Sequence, residues 1–497
     1  MNNNQPQPTE QQPQSTPPSG NPNPQIGAPE KPTSDAETFF VTTAIDYVTD
    51  LPHIGHAQEK LAADIVARYW RRRGRDVFFL TGTDEHGQKV AQAALKAGIE
   101  PKAFVDEMSL KYKATWSAIE VKYDNFIRTT NPEHEKYVQE FLEKLYGLGE
   151  IYKDRYQGLY CVACEEYKIE KELLPGNLCP IHKTKCEAVY EDVYFFKLSK
   201  YQQSLIEIIQ QEKIIIEPQE RKNEILSFFK KQILQDLAIS RSKVSWGIPV
   251  PWDKTQTIYV WVDALLNYIT GSRGHWPPSL HIIGKDISRF HCIIWPALLL
   301  AAGLELPRKI FIHGFLTING ERVSKTTGNV IDPLQIVKLY GVAPLRYFLF
   351  REAPFDQDGD FSLDRFETRY RHDLANDLGN LVQRTITMAN IYKIDWQYKI
   401  ITTPFRLIDQ AIEDLQFNKA LDLIWDIVSE ANKKIDAEKP WVLAKDNPER
   451  LKEVITQLLD SIAQIAYQLD PFLPETSWLM IEQLKSRQPY ALFPRKK

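Results

Sequence analysis

The first hundred residues alternate between strand-like and helix-like hydrophobic patterns. The apolar run 39–45 predicts a buried strand, and residues 57–73 repeat apolar positions at helical spacing before Gly74. A second apolar run, 77–81, predicts another buried strand, and a helix that ends at Gly98 follows it. Strands that alternate with helices are typical of a parallel sheet with helical crossovers. We therefore expect an α/β fold.

This alternation is interrupted and later resumes. Residues 150–190 are rich in cysteine and show little periodicity, whereas strand-like runs return at 258–262, 281–283 and 310–313. The simplest architecture is a parallel sheet split by an inserted module. Beyond about residue 366, helical patterns recur with few strand signals, which predicts a helical bundle.

Composition separates a tail from a globular body. Residues 1–37 contain nine Pro, six Gln and five Asn but no aromatic residue, so we expect a disordered tail. The 497-residue chain is 43% hydrophobic and 25% charged, which is ordinary for an enzyme of several domains. No segment approaches the roughly 18 apolar residues of a membrane span, and the N-terminus has no secretory signal pattern.

Charge and cysteine content narrow the function classes further. A net charge of -4 argues against a general basic coat for nucleic acid, so RNA binding would use local patches. Five cysteines in the whole chain are too few for a disulfide framework. The reducing cytoplasm is the compartment that we expect.

A short motif follows the first predicted strand. Residues 52–56 read Pro-His-Ile-Gly-His and open a helix, whose N-terminus offers amide donors and a positive dipole end to a phosphate. His53 and His56 add donors, and Gly55 leaves room for a flat base. A match this short also arises by chance and identifies nothing alone.

A glycine-flanked segment, 319–329, follows the last predicted strand of the sheet. It reads Asn-Gly-Glu-Arg-Val-Ser-Lys-Thr-Thr-Gly-Asn. The cations Arg322 and Lys325 suit a loop that closes over phosphates and stabilises charge on departing pyrophosphate. Taken alone, the segment also fits a solvated surface loop.

Two cysteine-containing knuckles lie in the predicted insert. Cys161-x2-Cys164 and Cys179-x2-His182 have the spacing of a tetrahedral zinc site. Cys186 is an alternative fourth ligand, although the symmetry of the knuckles favours His182. Four protein ligands leave no open position, so we expect one structural zinc ion per chain.

The two phosphate-type motifs together resemble the HIGH and KMSKS signatures of class I aminoacyl-tRNA synthetases, in the expected order. The second match is loose, because Arg322, Val323 and Thr326 replace the Lys, Met and Ser of the family, whereas Ser324 and Lys325 are kept. In that family the retained lysine is the more important of the two. The replacements therefore bear on loop affinity more than on chemistry.

Four further stretches, 42–48, 81–87, 259–264 and 283–291, resemble bacterial methionyl-tRNA synthetases. The resemblance covers roughly residues 38–497 and implies a nucleotide-binding Rossmann-like α/β domain, with a parallel sheet split by a zinc-containing insert and followed by an α-helical bundle domain. The implied division is a tail (1–37), the first half of the catalytic domain (38–120), a connective insert with the zinc knuckle (121–240), the second half (241–315), the KMSKS-type loop with a stem-contact region (316–365) and a helical anticodon-binding domain (366–497).

The resemblance also implies a reaction and its participants. L-methionine would react with ATP and Mg²⁺ to give methionyl-adenylate, and methionine would pass to the terminal ribose of tRNA(Met), including the initiator tRNA. His53, His56 and Lys325 would be catalytic. The family often carries an additional C-terminal module that dimerises it, and the chain stops at Lys497, so we expect a monomer.

The implied binding residues fall into three sets. Asp84 would hold the substrate ammonium, and aromatic residues would surround the thioether; Asp46 departs from the apolar or aromatic residue expected at its position. The implied methionine site is Ala44, Ile45, Tyr47, Asp84, Trp261, Ala264, Tyr268, Ile287, Phe290 and His291. The implied ATP site is His53, Gly55, His56, Gly284, Asp286, Arg322, Val323, Ser324, Lys325 and Thr326, and the implied anticodon site is Asn380, Arg384 and Trp441.

Alternative functions predict sequence features that differ from those of this chain. Synthetases for Ile, Val and Leu carry an editing insert of about 200 residues, because a pocket discriminates one methylene by only ~1–3 kcal/mol, and the interval between the sheet halves is too short for one. Cysteinyl enzymes resemble one another in a zinc-binding Cys before the first signature, and here the first cysteine is Cys161. An RNA-binding module that has lost catalysis would show damaged signatures, and a nucleotidyltransferase without tRNA would not need the helical region.

Overall fold

The structure is a computed structural model that describes residues 37–162, 166–168, 173–180, 183–322, 330–399 and 405–494. Residues 1–36 of the predicted tail, parts of the region that carries the two zinc knuckles, and residues 323–329 of the second signature segment therefore lie outside the described residues. The strands in chain order are β1 (Thr38–Thr43), β2 (Asp46–Tyr47), β3 (Asp76–Asp84), β4 (Asn125–Arg128), β5 (Ile151–Cys161), β6 (Glu166–Lys168), β7 (Glu187–Phe196), β8 (Ile215–Glu217), β9 (Leu237–Ala238), β10 (Ser240–Arg241), β11 (Pro249–Val250), β12 (Asp253–Ile258), β13 (Leu280–Gly284), β14 (Lys309–His313), β15 (Leu316–Ile318), β16 (Glu321–Arg322) and β17 (Gly359–Phe361).

Helices cover both faces of the main sheet and form most of the C-terminal region. The α-helices in chain order are α1 (Ile54–Arg72), α2 (Gln88–Ala97), α3 (Pro101–Ala118), α4 (Pro132–Gly147), α5 (Gln202–Gln210), α6 (Gln219–Lys231), α7 (Val260–Leu265), α8 (Asn267–Thr270), α9 (Trp295–Ala302), α10 (Pro333–Tyr340), α11 (Val342–Arg351), α12 (Leu363–Arg369), α13 (Asn380–Ile391), α14 (Arg406–Glu413), α15 (Phe417–Glu438), α16 (Pro440–Asp446), α17 (Pro448–Leu469) and α18 (Pro474–Ser486). Turns of π-helix, Phe290–Ile294 and Tyr370–Gly379, precede α9 and α13.

The main sheet is parallel, as the alternating pattern predicts. Its strands run in the order β2-β3-β1-β13-β14-β8, and β4 pairs with β3. β1 pairs in parallel register with both β3 and β13, so the two halves of the chain meet at β1. In such a sheet the carboxyl ends of the strands share one edge, where ligands usually bind.

Two local predictions differ from the structure at this sheet. β3 continues to Asp84 rather than ending at Thr81, because a Cβ at Gly82 would lie 2.1 Å from Ile127 O and only glycine permits that approach to β4. The run 258–262 is a strand only at its start. Most of it forms α7, since a short, fully apolar run fits a buried helix as well as a buried strand.

The interrupting region is a long antiparallel ribbon rather than a mainly irregular insert. β5 and β7 pair from Ile151↔Phe196 to Tyr160↔Glu187. Charged side chains along β5 leave much of the ribbon exposed, so no apolar alternation marks it in the sequence. The predicted insert 121–240 also contains β4 and β8, which belong to the main sheet.

The C-terminal helices pack against one another and against α1. Arg346 of α11 is fully buried, where it binds Asp64 of α1 at 2.7 Å and donates to the carbonyl of Phe472 at 2.6 Å. A buried guanidinium with several acceptors fixes how two elements dock. Across the described ranges, no helix combines the length and apolar character that crossing a bilayer requires.

Candidate active site

A cavity of about 500 Å³ opens where the carboxyl ends of β1, β3, β13 and β14 meet. This volume is typical of pockets for small molecules and cofactors. All ten residues that the resemblance implies for methionine line it, together with His53, Gly55, His56, Gly284 and Asp286 of the implied ATP set. The structure thus brings residues from five separate stretches of sequence into one site.

The first signature forms the N-terminus of α1. His53 is the N-cap, and its Nδ1 accepts from the backbone N–H groups of Gly55 (3.1 Å) and His56 (3.4 Å). His56 Nδ1 in turn accepts from the N–H of His53 at 3.2 Å. Because both rings accept at Nδ1, both carry a proton on Nε2. The rings stack with centroids 3.8 Å apart.

An aromatic and neutral wall forms another part of the cavity lining. Trp261 and Phe290 stack with ring centroids 3.9 Å apart. Behind them, Tyr268 OH donates to His291 Nε2 at 2.7 Å, and His291 Nδ1 donates to the carbonyl of Ile287 at 3.0 Å. Burial lowers the pKa of His291 to about 4. This wall therefore stays uncharged at neutral pH.

The segment that carries Asp84 is braced by Glu85. The buried Glu85 carboxylate receives both Nε (2.7 Å) and Nη2 (2.8 Å) of Arg128. Trp246 Nε1 donates to the backbone carbonyl of Glu85 at 2.7 Å. Paired contacts of this kind hold a backbone segment in one geometry.

A second brace joins the same segment to α7. Asp263 accepts from His86 Nδ1 and from His134 Nε2, each at 2.8 Å. Burial alone would lower the pKa of His86, but the Asp263 carboxylate outweighs it and raises that pKa to about 10. Asp263 lies two residues after Trp261, and His86 lies two residues after Asp84. The ion pair therefore links two walls of the cavity.

Several ionisable residues of the cavity are absent from the implied site sets. Asp46, Glu59, Lys60 and His313 all line the cavity, and Lys60 binds both Asp46 and Glu59. Little in the sequence marks these four residues as part of a binding cavity. Glu59 and Lys60 follow His56 by three and four residues in α1, which places them on the same side of the helix, yet they resemble ordinary surface residues of an amphipathic helix.

The implied zinc ligands are only partly within the described residues. Cys161, Cys179 and Cys186 lie buried in one cluster, whereas Cys164 and His182 lie outside the described residues. Burial and the neighbouring thiols raise the pKa of Cys186 to about 11. Among the described residues, no group of three or more His, Cys, Asp and Glu side chains has the arrangement of a metal site.

The remaining predicted residues belong to the second signature and to the helical region. Arg322 ends β16, and Val323, Ser324, Lys325 and Thr326 fall outside the described part of the chain. In the helical region, Asn380 and Arg384 lie one turn apart on α13, and Arg384 is 4.0 Å from Asp436 of α15. Trp441 of α16 is 47% exposed, so it is not a residue of the bundle core.

Comparison with known proteins identifies the family to which the chain belongs. The family model "tRNA synthetases class I (M)" matches residues 39–187 and 168–386. A methionine–tRNA ligase of Clostridium perfringens is 44% identical over 90% of this chain and 73% of its own length. One of Nostoc is 42% identical over 90% of each chain.

Solved structures agree with the sequence relatives. Methionyl-tRNA synthetase of Mycobacterium tuberculosis in complex with methionyl-adenylate superimposes with a TM-score of 0.84 and 37% identity, covering 93% of this chain and 99% of that chain. The apo form of the enzyme gives a TM-score of 0.79 at 33% identity. With its parallel sheet, its signature helix and these relatives, the chain belongs to the methionyl-tRNA synthetases, a family of class I tRNA synthetases.

Proposed function

We infer that the cavity activates L-methionine with ATP and that the chain is a methionine–tRNA ligase. The observation that carries this inference is the meeting of an aromatic, neutral wall, a buried carboxylate and a histidine-capped helix N-terminus in one cavity. The products of the first step are methionyl-adenylate and pyrophosphate. In the second step methionine passes to the terminal ribose of tRNA(Met).

The amino-acid half of the site is proposed to select a soft, uncharged side chain. A thioether makes favourable contacts with aromatic rings, and the stacked Trp261 and Phe290 supply them. The Tyr268 hydroxyl and His291 Nε2 hydrogen-bond to each other, so neither atom needs a polar partner from the substrate. The four side chains of this wall carry no charge at neutral pH that could pair with a cationic or anionic side chain. Asp84 is proposed to bind the ammonium group of the substrate, because a buried ammonium needs a carboxylate partner.

The ATP half is proposed to use the start of α1. A helix N-terminus attracts phosphate through its amide groups and dipole, and the Nε2–H groups of His53 and His56 add two donors on the same turn. A Cβ at Gly55 would lie 3.1 Å from the His53 ring, so glycine keeps this surface open. Gly284 and Asp286 at the end of β13 are proposed to contact the nucleoside.

Catalysis needs no covalent nucleophile on the protein. The methionine carboxylate attacks the α-phosphorus in line, that bond forms as the bond to pyrophosphate breaks, and the leaving group departs with the Mg²⁺ that accompanies ATP. The protein contributes by positioning and by stabilising charge. Residues 322–326, with Lys325 foremost, are proposed to stabilise the departing pyrophosphate.

The proposal is tested by ATP–pyrophosphate exchange across a panel of amino acids. We expect exchange with methionine and little or none with isoleucine, leucine, valine or cysteine, because the wall of the site is shaped for an unbranched thioether. Exchange driven by another amino acid but not by methionine would refute the assignment. Charging of tRNA(Met) with labelled methionine then tests the second step.

A structural zinc ion is proposed in the ribbon region, held by Cys161, Cys164, Cys179 and His182. Support comes from Cys161 and Cys179, which belong to different knuckles and lie buried in one cluster, and from thiolate and imidazole as preferred zinc donors. When bound, the ion would cross-link the loops at the end of the ribbon. It would take no part in the reaction.

Purified protein should contain one zinc ion per chain, and Cys179→Ser should lose it and unfold the end of the ribbon. The reason is that short knuckles bury too little apolar surface to hold their shape without metal. Elemental analysis and circular dichroism measure both effects, with Cys292→Ala as the matched control in the distant apolar core. Zinc loss in Cys186→Ser would instead transfer the fourth position from His182 to Cys186.

The helical region is proposed to read the anticodon through Asn380, Arg384 and Trp441. Recognition of unpaired bases uses aromatic stacking together with amide and guanidinium groups. The partial exposure of Trp441 suits a stacking platform. Arg384 of α13 lies 4.0 Å from Asp436 near the end of α15, and α16 follows α15 directly.

Trp441→Ala should weaken charging of tRNA(Met) roughly ten- to a hundredfold, because loss of one stacked aromatic costs ~1–3 kcal/mol of RNA binding. ATP–pyrophosphate exchange should stay normal, since it uses only the cavity. Trp478→Ala is the matched control, because Trp478 is 60% exposed on α18 of the same region. Normal charging by the Trp441 variant, or equal loss in both variants, would contradict the role.

A further inference from the structure

A buried cluster of ionisable side chains lies in the wall of the cavity, and the proposed mechanism does not use it. Its members are Asp46, Glu59, Lys60 and His313. Lys60 is only 1% exposed. Charged groups are kept at such depth only when partners replace the lost hydration, so the contacts of each charge indicate what the cluster does.

Lys60 is the centre of this cluster. Its ammonium donates to the carbonyl of Ala44 at 3.0 Å, to Asp46 Oδ1 at 2.7 Å and to Glu59 Oε1 at 2.9 Å. An ammonium has three protons, and each has an acceptor here. Binding a phosphate or transferring a proton would require Lys60 to abandon these partners. A role in holding structure fits the geometry better than a role in chemistry.

The three acceptors belong to two different parts of the site. Ala44 follows β1 and Asp46 begins β2, and this segment also gives Ile45 and Tyr47 to the cavity wall. Glu59 lies on α1, which begins at the first signature. Lys60 therefore ties the wall proposed for methionine to the helix proposed for ATP.

Glu59 extends the connection across the sheet. Its second oxygen, Oε2, lies 3.0 Å from Nε2 of His313, and the other ring nitrogen of His313 lies 2.8 Å from the carbonyl of Gly314. His313 ends β14, directly before the strands that lead to the second signature. The chain of contacts thus spans the carboxyl edge of the sheet from β1 to β14.

Asp46 is the member that makes the cluster distinctive. It stands where an apolar or aromatic residue is expected, and its charge is matched by Lys60 at 2.7 Å. Burial raises the pKa of Asp46 to about 7, although Lys60 opposes the shift. Burial would lower the pKa of Lys60, but Asp46 and Glu59 outweigh it and raise that pKa. Lys60 therefore remains a cation.

We propose that Lys60, paired with Asp46, is a positioning residue that sets the main chain from Ala44 to Tyr47 and thereby the affinity for the amino acid. The inference rests on the proposed function. A displacement of about 1 Å in a substrate-positioning group can change rates a hundredfold. Since Lys60 fixes a carbonyl of this segment directly, its loss should act on methionine before it acts on ATP.

The test compares Lys60→Met with a matched control in ATP–pyrophosphate exchange. Lys60→Met keeps the stem of the side chain and removes the charge, so we expect the KM for methionine to rise roughly ten- to a hundredfold, with the KM for ATP changed by less than about threefold. Arg346→Met is the control, because it breaks another fully buried ion pair to α1, Arg346–Asp64, away from the cavity.

Both variants should melt earlier than the parent, but only Lys60→Met should change the KM for methionine. An unchanged KM in Lys60→Met, or an equal rise in Arg346→Met, would overturn the proposal. If Lys60→Met does not fold, the double variant Asp46→Asn/Lys60→Met removes one of the two carboxylates that lose their partner, while Glu59 keeps its contact with His313, and it carries the same test. A parent protein without methionine-dependent exchange would instead refute the function itself.

Discussion

Asp84→Asn should raise the KM for methionine in ATP–pyrophosphate exchange by roughly thirtyfold to several thousandfold, because truncating one partner of a buried, hydrogen-bonded charge pair costs ~2–5 kcal/mol or more. Asparagine has the same shape as aspartate, so the cavity should remain intact. The substrate ammonium, however, would enter a buried site without a counter-charge. Steady-state exchange at varied methionine measures the effect.

The melting temperature of this variant separates binding from folding. Asp84 belongs to a segment that Glu85 and His86 already hold in place, so loss of its charge should leave the melting temperature close to that of the parent. Asp154→Asn, which removes an exposed carboxylate of β5, is the control and should change neither quantity. A KM for methionine within about threefold of the parent would remove Asp84 from the binding role.

The sequence predicts the parallel sheet well because fully buried strands produce unbroken apolar runs. The runs 281–283 and 310–313 correspond to β13 and β14, and the break in the pattern falls where the β5–β7 ribbon is inserted. The ribbon itself is hidden, since the middle of β5 is largely exposed and charged and therefore carries no clear period-two signal. In α7 the opposite problem arises, because a short helix buried on all sides also reads as an apolar run.

The residues of the site likewise divide into those that a local sequence pattern reveals and those that only the fold brings together. His53 and His56 are visible because a helix N-terminus, a glycine and two imidazoles occur together within five residues. Trp261 and Phe290 become a wall only through the fold, which stacks side chains 29 positions apart in sequence at 3.9 Å. Their role in the sequence analysis came from resemblance, and no local pattern distinguishes them from residues of the hydrophobic core.

The buried charges are the clearest example of what sequence reasoning misses. Glu59 and Lys60 have the composition of a solvated helical face, but in the structure they are buried, where they contact the Ala44–Asp46 segment and His313. Asp46 is visible as a departure from the family, but its consequence depends on a partner 14 residues away. Compensation between such distant residues requires the structure.

Lys325→Ala should lower kcat for adenylate formation by roughly a hundred- to a thousandfold, the effect typical of removing one group that stabilises developing charge. Methionine binding should remain nearly unchanged, because the departing pyrophosphate acquires its charge only in the transition state. Exchange at saturating methionine and ATP measures kcat, and equilibrium dialysis with labelled methionine measures methionine affinity without ATP.

An interaction made only in the transition state lowers kcat without weakening the ground-state complex. A lower kcat with unchanged methionine affinity is therefore the result expected for Lys325. Lys338→Ala is the control, since Lys338 is an exposed cation of α10, thirteen residues beyond Lys325, and its removal changes the charge of the chain equally. The control should retain the kcat of the parent. If the Lys325 variant also keeps near-normal exchange, the loop does not act on pyrophosphate, and the charge stabilisation must come from the Nε2–H donors and amide groups at the start of α1.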